Sequence, residues 1–101
     1  MHIEFPTRLP VDDAKARLQV LGSYLQNKHG ISVVWDGDSA QINGRYLVVA
    51  IEGTVSVKPG LVSFDGKDPG MLWRNKAKEY LTHKLSKYLD PAVGLDVLPK
   101  G

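Results

Sequence analysis

The chain contains no cysteine. Disulfides, thiol nucleophiles and zinc–thiolate centres are therefore excluded, and the composition fits a reducing compartment. Nor is there a strong charge of one sign, since 13 Lys and Arg face 11 Asp and Glu for a formal net charge of +2. The molecule as a whole is not strongly basic, which weighs against a role built on phosphate contacts with nucleic acid. Long apolar runs are missing too. No stretch approaches the roughly 20 residues of a membrane span, and the opening MHIEFPTRLP has no apolar core of a secretory signal, so a cytoplasmic location is expected.

Catalytic signatures are equally scarce. No serine sits in a nucleophile-elbow context, and Gly30, Gly37, Gly44 and Gly53 are separated by strand-like segments that leave no phosphate cradle. The pair Asp36 and Asp38 brackets Gly37, but position 47, where a calcium loop needs its glutamate, is Leu47. The three histidines, His2, His29 and His83, have no ligand spacing between them. These observations favour a protein that is not an enzyme and that uses no metal or cofactor.

What is present is an architecture. With 101 residues, 43% of them hydrophobic and 24% charged, the chain suits one small domain and has no room for a second. Ile3 and Phe5 alternate with polar neighbours over His2 to Arg8, and Pro6 puts that strand at an edge. From Val11 to Lys28, Ala14, Leu18, Leu21 and Leu25 recur at helical spacing, Asp12 and Asp13 occupy the first turn, and Gly30 is placed to end the helix left-handed. Gly22 inside it implies close packing on another element.

A β-branched segment, Ile31 to Trp35, runs into Asp36-Gly37, a strong hairpin signal. The next strand passes Ala40 and Ile42 to Asn43-Gly44, which reads as a tight turn or, with a slight preference, as a bulge bending one long strand before Tyr46 to Ile51. The run Leu47 to Ile51, apolar on both faces, implies cover on both sides of the sheet. Gly53 is expected to break the run before Thr54 to Lys58 alternates again. Pro59-Gly60 then suits a type II turn into Leu61 to Asp65.

The last helix organises the rest. Aromatic residues make up only 8% of the chain, yet Trp73, Tyr80 and Tyr88 fall within one segment, Asp68 to Leu89. Asp68 reads as its N-cap and Pro69 as its first helical residue, while Pro91 ends it near Leu89. At 100° per residue, Trp73, Ala77, Tyr80, Leu81, Leu85 and Tyr88 share one stripe, and Lys76, His83 and Lys87 gather opposite. Lys84 falls inside the stripe. Its stem lies along the rings with the ammonium in water, or it serves as a cation at the mouth of a cavity.

The expected fold is α+β: a curved antiparallel meander of four to five strands with two helices, in the order β-α-β-β-β-β-α. It is a small helix-grip-like arrangement spanning residues 1–91, with 92–101 as a C-terminal tail. Two functional surfaces follow. Arg74, Lys76, His83 and Lys87 form a basic interaction face, in a stretch from Lys67 to Lys87 holding six Lys and Arg against two acids. Trp73, Tyr80, Lys84 and Tyr88 would line an apolar cleft able to hold a fatty acid or hydroxyacyl group. Nucleic acid is disfavoured, because no aromatic pair is spaced for stacking and no recognition-helix pattern appears. Uncovered strand edges leave room for a homodimer.

Taken together, Ala14, Arg17, Leu18 and Leu21, then Gly30-Ile31, Trp35 with Gly37-Asp38, a glycine at Gly44 or Gly53 before alternating valines, and the ending Tyr88-Leu89-Asp90 carry a resemblance. Over about Val11 to Pro91 the chain resembles the polyhydroxyalkanoic acid system family, small bacterial proteins named for genes near polyester-granule synthesis. The Gly66-Lys67-Asp68-Pro69-Gly70 entry and the Lys-rich face depart from that pattern. The resemblance implies a non-enzymatic interaction protein of the bacterial cytoplasm, associated with polyhydroxyalkanoate granules or with a protein partner. It brings no catalytic residues with it.

Overall fold

The computed structural model describes residues 1–46 and 48–101. Its elements are β1 (His2–Pro6), α1 (Val11–His29), β2 (Ser32–Asp36), β3 (Ser39–Tyr46), β4 (Val49–Lys58), β5 (Leu61–Gly66) and α2 (Arg74–Tyr88), followed by a single 3-10 turn at Leu95–Val97. The five strands form one open antiparallel sheet in the order β1-β5-β4-β3-β2. The expected α+β order holds, and β1 lies at an edge.

Local chemistry explains most of the boundaries. α1 ends where Gly30 turns left-handed at φ 68°, and its last carbonyls are closed by Gly30 N–H on Gln26 at 2.9 Å and Ile31 N–H on Leu25 at 3.2 Å. Gly22 is buried, and a Cβ there would stand 3.2 Å from Val33 Cγ1, so the glycine sets how closely α1 lies on β2. Gly37, at φ 61°, turns β2 into β3 next to the closing pair Asp36–Ser39.

Three expectations need correction. Asn43-Gly44 is neither a turn nor a bulge, because β3 runs through it in unbroken register, with Asn43 opposite Glu52 and Gly44 opposite Ile51. The chain reverses between Tyr46 and Val49 instead. Leu47, read from sequence as strand, lies outside the described residues. Gly44 serves close approach: a Cβ there would meet the Ile31 backbone Cα at 3.0 Å. Gly53 does not break its strand either, for β4 continues through it to Lys58.

The third concerns the start of α2, which is Arg74 and not Asp68. The Asp68 side chain closes the preceding turn, accepting from the Gly70 N–H at 2.9 Å and from the Arg74 guanidinium at 2.6 Å. Gly70 is left-handed at φ 99°, so a helix cannot begin before it. The arginine and the glycine amide hold the Asp68 carboxyl below the usual carboxylate range.

Both helices cover one face of the sheet. Leu18, Leu21 and Leu25 of α1 and Leu85 and Tyr88 of α2 join Ile42, Val57, Val62 and Phe64 in a single core. The other face stays wet, with Glu4, Gln41, Asn43, Glu52 and Lys58 exposed. The expected cover on both sides is therefore absent among the described residues. Ala50 and Val48 simply face solvent, at a local cost small enough for isolated apolar groups.

Beyond α2 the tail folds back. Leu98 is buried, the Tyr88 hydroxyl donates to the Pro99 carbonyl at 2.5 Å, and Asn27 donates to the Lys100 carbonyl at 2.8 Å. The C-terminal end of α2 is also held by Arg17, which donates to the carbonyls of Tyr88 and Asp90. The N-terminal half of α2 is held, among the described residues, by the exposed Arg74–Asp68 pair and a 3.5 Å approach of Tyr80 to His29, and its side chains roof a space above the sheet.

Candidate ligand cleft beneath the last helix

A cleft of about 460 Å³ lies between the first half of α2 and the helix-covered side of β3 and β4. This falls within the range typical of small-molecule sites, about 300–1,000 Å³. Its walls are mostly aliphatic and aromatic: Leu25, Ile42, Ile51 and Phe64 from α1 and the sheet, Ile31 from the link between α1 and β2, Trp73 from the turn before α2, and Ala77 and Leu81 from α2.

Glycines make the floor. The Phe64 ring lies over Gly53 and Gly66, so close that a Cβ on either would come within 2.6 Å of it. Because neither position carries a side chain, the ring lies down on the sheet and the volume above it stays open. A strand glycine at this spot leaves room for something else to approach the backbone, and here that something is an aromatic side chain.

Polar groups collect at one end. His29 at the end of α1, Tyr46 at the end of β3 and Tyr80 in α2 all line the cleft. The His29 and Tyr46 rings meet edge to face with centroids 4.9 Å apart, and Tyr46 and Tyr80 stack at 6.5 Å. The Tyr80 hydroxyl lies 3.5 Å from His29 Nε2, at the outer limit of hydrogen bonding. Lys67 and Lys76 also line the cleft, and Lys76 holds its ammonium 5.7 Å from the Trp73 ring centroid.

The residues singled out from sequence are divided by this geometry. Trp73 and Tyr80 line the cleft. Lys84 does not line it. Its half-buried ammonium rests on ring faces, 4.2 Å from the Tyr24 centroid and 5.6 Å from that of Tyr80. Tyr88 is wholly buried in the core, its hydroxyl spent on the tail. Of the basic face, Arg74 is paired with Asp68, while His83 and Lys87 are exposed on α2. His29 and Tyr46 escaped the sequence reading, because nothing in their spacing ties a helix end to a strand end.

Burial, and then the neighbouring phenols of Tyr24, Tyr46 and Tyr88, push the Tyr80 phenol up from 10.0 to about 12. The folded chain thus holds this proton more tightly than the unfolded chain does. The matching stabilisation is complete below pH 10 and is lost as pH rises through about 12. Burial raises the Tyr88 phenol as well, so alkaline titration of tyrosinate absorbance should show late-ionising phenols, one of which disappears in Tyr80→Phe. Ionisation of Tyr80 near 10 would mean that the ring cluster is open to water.

Among the described residues no cluster of three or more His, Cys, Asp or Glu side chains could hold a metal ion, and no helix is long and apolar enough to cross a membrane. Fold and cleft define a small open-sheet α+β protein whose two helices share one face and enclose an apolar recess. The chain belongs to the family described as "Putative polyhydroxyalkanoic acid system protein", whose model matches residues 1–93. No curated protein matches it.

Proposed function

We propose that this chain acts by binding rather than by catalysis, attaching in the bacterial cytoplasm to the surface of a polyhydroxyalkanoate granule. The observation that carries this reading is the turn leading into α2, where Met71 and Leu72 are 85% and 87% exposed. Two adjacent large apolar side chains held this far into water are an unusual use of a tight segment, and they suit insertion into an apolar body. Family membership supports the same destination.

The basic residues around that tip assist. Lys67 precedes it, Lys76 and Lys78 follow on α2, and His83 and Lys87 extend the face, giving an anionic coat several cations to meet. Arg74 contributes less, since Asp68 already neutralises it at 2.6 Å. The attraction of this rim weakens with salt, whereas burial of Met71 and Leu72 does not.

Co-sedimentation with isolated granules tests the reading. The wild-type chain should pellet with them, and Met71→Ser/Leu72→Ser should bind roughly a hundredfold more weakly, corresponding to about 3 kcal/mol of apolar burial. Both positions are exposed, so the variant keeps its fold. Failure of the wild type to pellet, or equal binding by the variant, sinks the proposal.

A further inference from the structure

We propose that the cleft beneath α2 is a binding site for a medium-length aliphatic chain carrying an uncharged oxygen group, an ester or a hydroxyl. The chain would lie over Phe64 and its oxygen would meet Tyr46, Tyr80 and His29. This site is independent of granule attachment, since Met71 and Leu72 do not line it.

The body of the ligand follows from the walls. A recess of about 460 Å³ whose walls are Leu25, Ile42, Ile51, Phe64 and Leu81 offers no hydrogen bond along that stretch and so favours an apolar ligand body. The glycine pair at 53 and 66 keeps the Phe64 ring flat and so preserves a smooth apolar floor.

The head group follows from the hydroxyls. The Tyr46 hydroxyl makes no hydrogen bond among the described residues, and the Tyr80 hydroxyl makes only the 3.5 Å approach to His29. Ordinary bonds from a hydroxyl lie near 2.7–2.8 Å, so two donors at this end have capacity to spare. A phenol that keeps its proton throughout the physiological range is a donor to a carbonyl or hydroxyl oxygen.

Charge argues against a carboxylate there. Lys84 is turned onto the Tyr24 and Tyr80 ring faces and does not line the cleft. Lys76 is drawn over Trp73, and Lys67 follows the Gly66 end of β5, bonded through its backbone to Glu52. An anionic head among the phenols would lose water without gaining an ion pair, whereas an ester or hydroxyl needs only the hydrogen bonds on offer.

The experiment uses the full chain with Trp35→Phe, which leaves Trp73 as the single tryptophan reporter on the cleft wall. Methyl octanoate should shift its emission in a saturable way. Octanoate at neutral pH should bind more weakly than the ester. Tyr46→Phe/Tyr80→Phe removes both hydroxyls while keeping the rings, and should weaken ester binding about tenfold with the circular dichroism spectrum unchanged. A flat titration with both probes overturns the site. Octanoate binding more tightly than its ester, or an ester affinity indifferent to the double substitution, overturns the assignment of the head group. None of these results depends on whether the chain pellets with granules.

Discussion

Replacing Arg17 with methionine is expected to lower the unfolding free energy by about 3 kcal/mol, the loss of two charge-assisted hydrogen bonds at a buried site. The residue is 6% exposed and its side chain reaches three acceptors: Asp13 on α1 at 3.1 Å, the Tyr88 carbonyl at 3.2 Å and the Asp90 carbonyl at 2.9 Å. The partly exposed Asp13 contributes little of this, because water screens it. The carbonyls contribute most, for they close α2, and the Asp90 carbonyl shares its oxygen between Arg17 and the Val93 N–H at 3.0 Å. The guanidinium also sits at the negative end of that helix. A domain of this size should lose roughly 15 °C of melting temperature. Lysine at the same place offers a point charge in place of a fork and should recover only part of the loss. A urea or thermal unfolding difference under about 0.5 kcal/mol would show that α2 is held by its apolar stripe alone.

Adding one methyl group at Gly53 should cost about 2–3 kcal/mol, in the range seen for overpacked cores. The new Cβ would lie 2.6 Å from Phe64 ring atoms and 2.9 Å from the Asp65 carbonyl oxygen, so both a ring and a neighbouring strand must give way. Gly66→Ala meets the same ring from the other side, at 2.6 Å. Once the ring has moved for one alanine, the second finds part of the space already vacated. The double variant should therefore be less destabilised than the sum of the singles. Phe64→Leu should partly rescue Gly53→Ala by removing the ring. Additive losses, or no rescue, would place the strain in the β4–β5 backbone and not in Phe64.

How much of this was readable in advance depended on whether a residue acts through its neighbours in sequence or in space. α1 was legible, because Ala14, Leu18, Leu21 and Leu25 mark one helical face and Gly30 marks its end. The four-strand meander was legible in outline from period-two alternation, and the stripe on α2 pointed to Trp73 and Tyr80. Asn43-Gly44 misled because a glycine that admits Ile31 is spelled the same way as a glycine that turns the chain. Asp68-Pro69 misled because the carboxylate of a turn and the carboxylate of a helix cap ask for the same residue.

Arg17 gave no local sign of its role, since its partners lie 71 and 73 positions away. The meeting of His29 with Tyr80 spans 51 positions and could not be read from any spacing. Lys84 illustrates a subtler limit. Its angular position among the aromatic rings was correct, but which side of those rings the ammonium takes is decided by Tyr24, on the other helix.

The uneven anchoring of α2 gives the molecule a mechanical character. Near Tyr88 the helix is riveted by Arg17, by the returning tail and by the core, whereas toward Trp73 the polar ties among the described residues are the exposed Arg74–Asp68 pair and the 3.5 Å approach of Tyr80 to His29. It is thus held like a lever whose fulcrum is the buried end. The exposed Met71 and Leu72 stand just before the first turn of that less anchored arm.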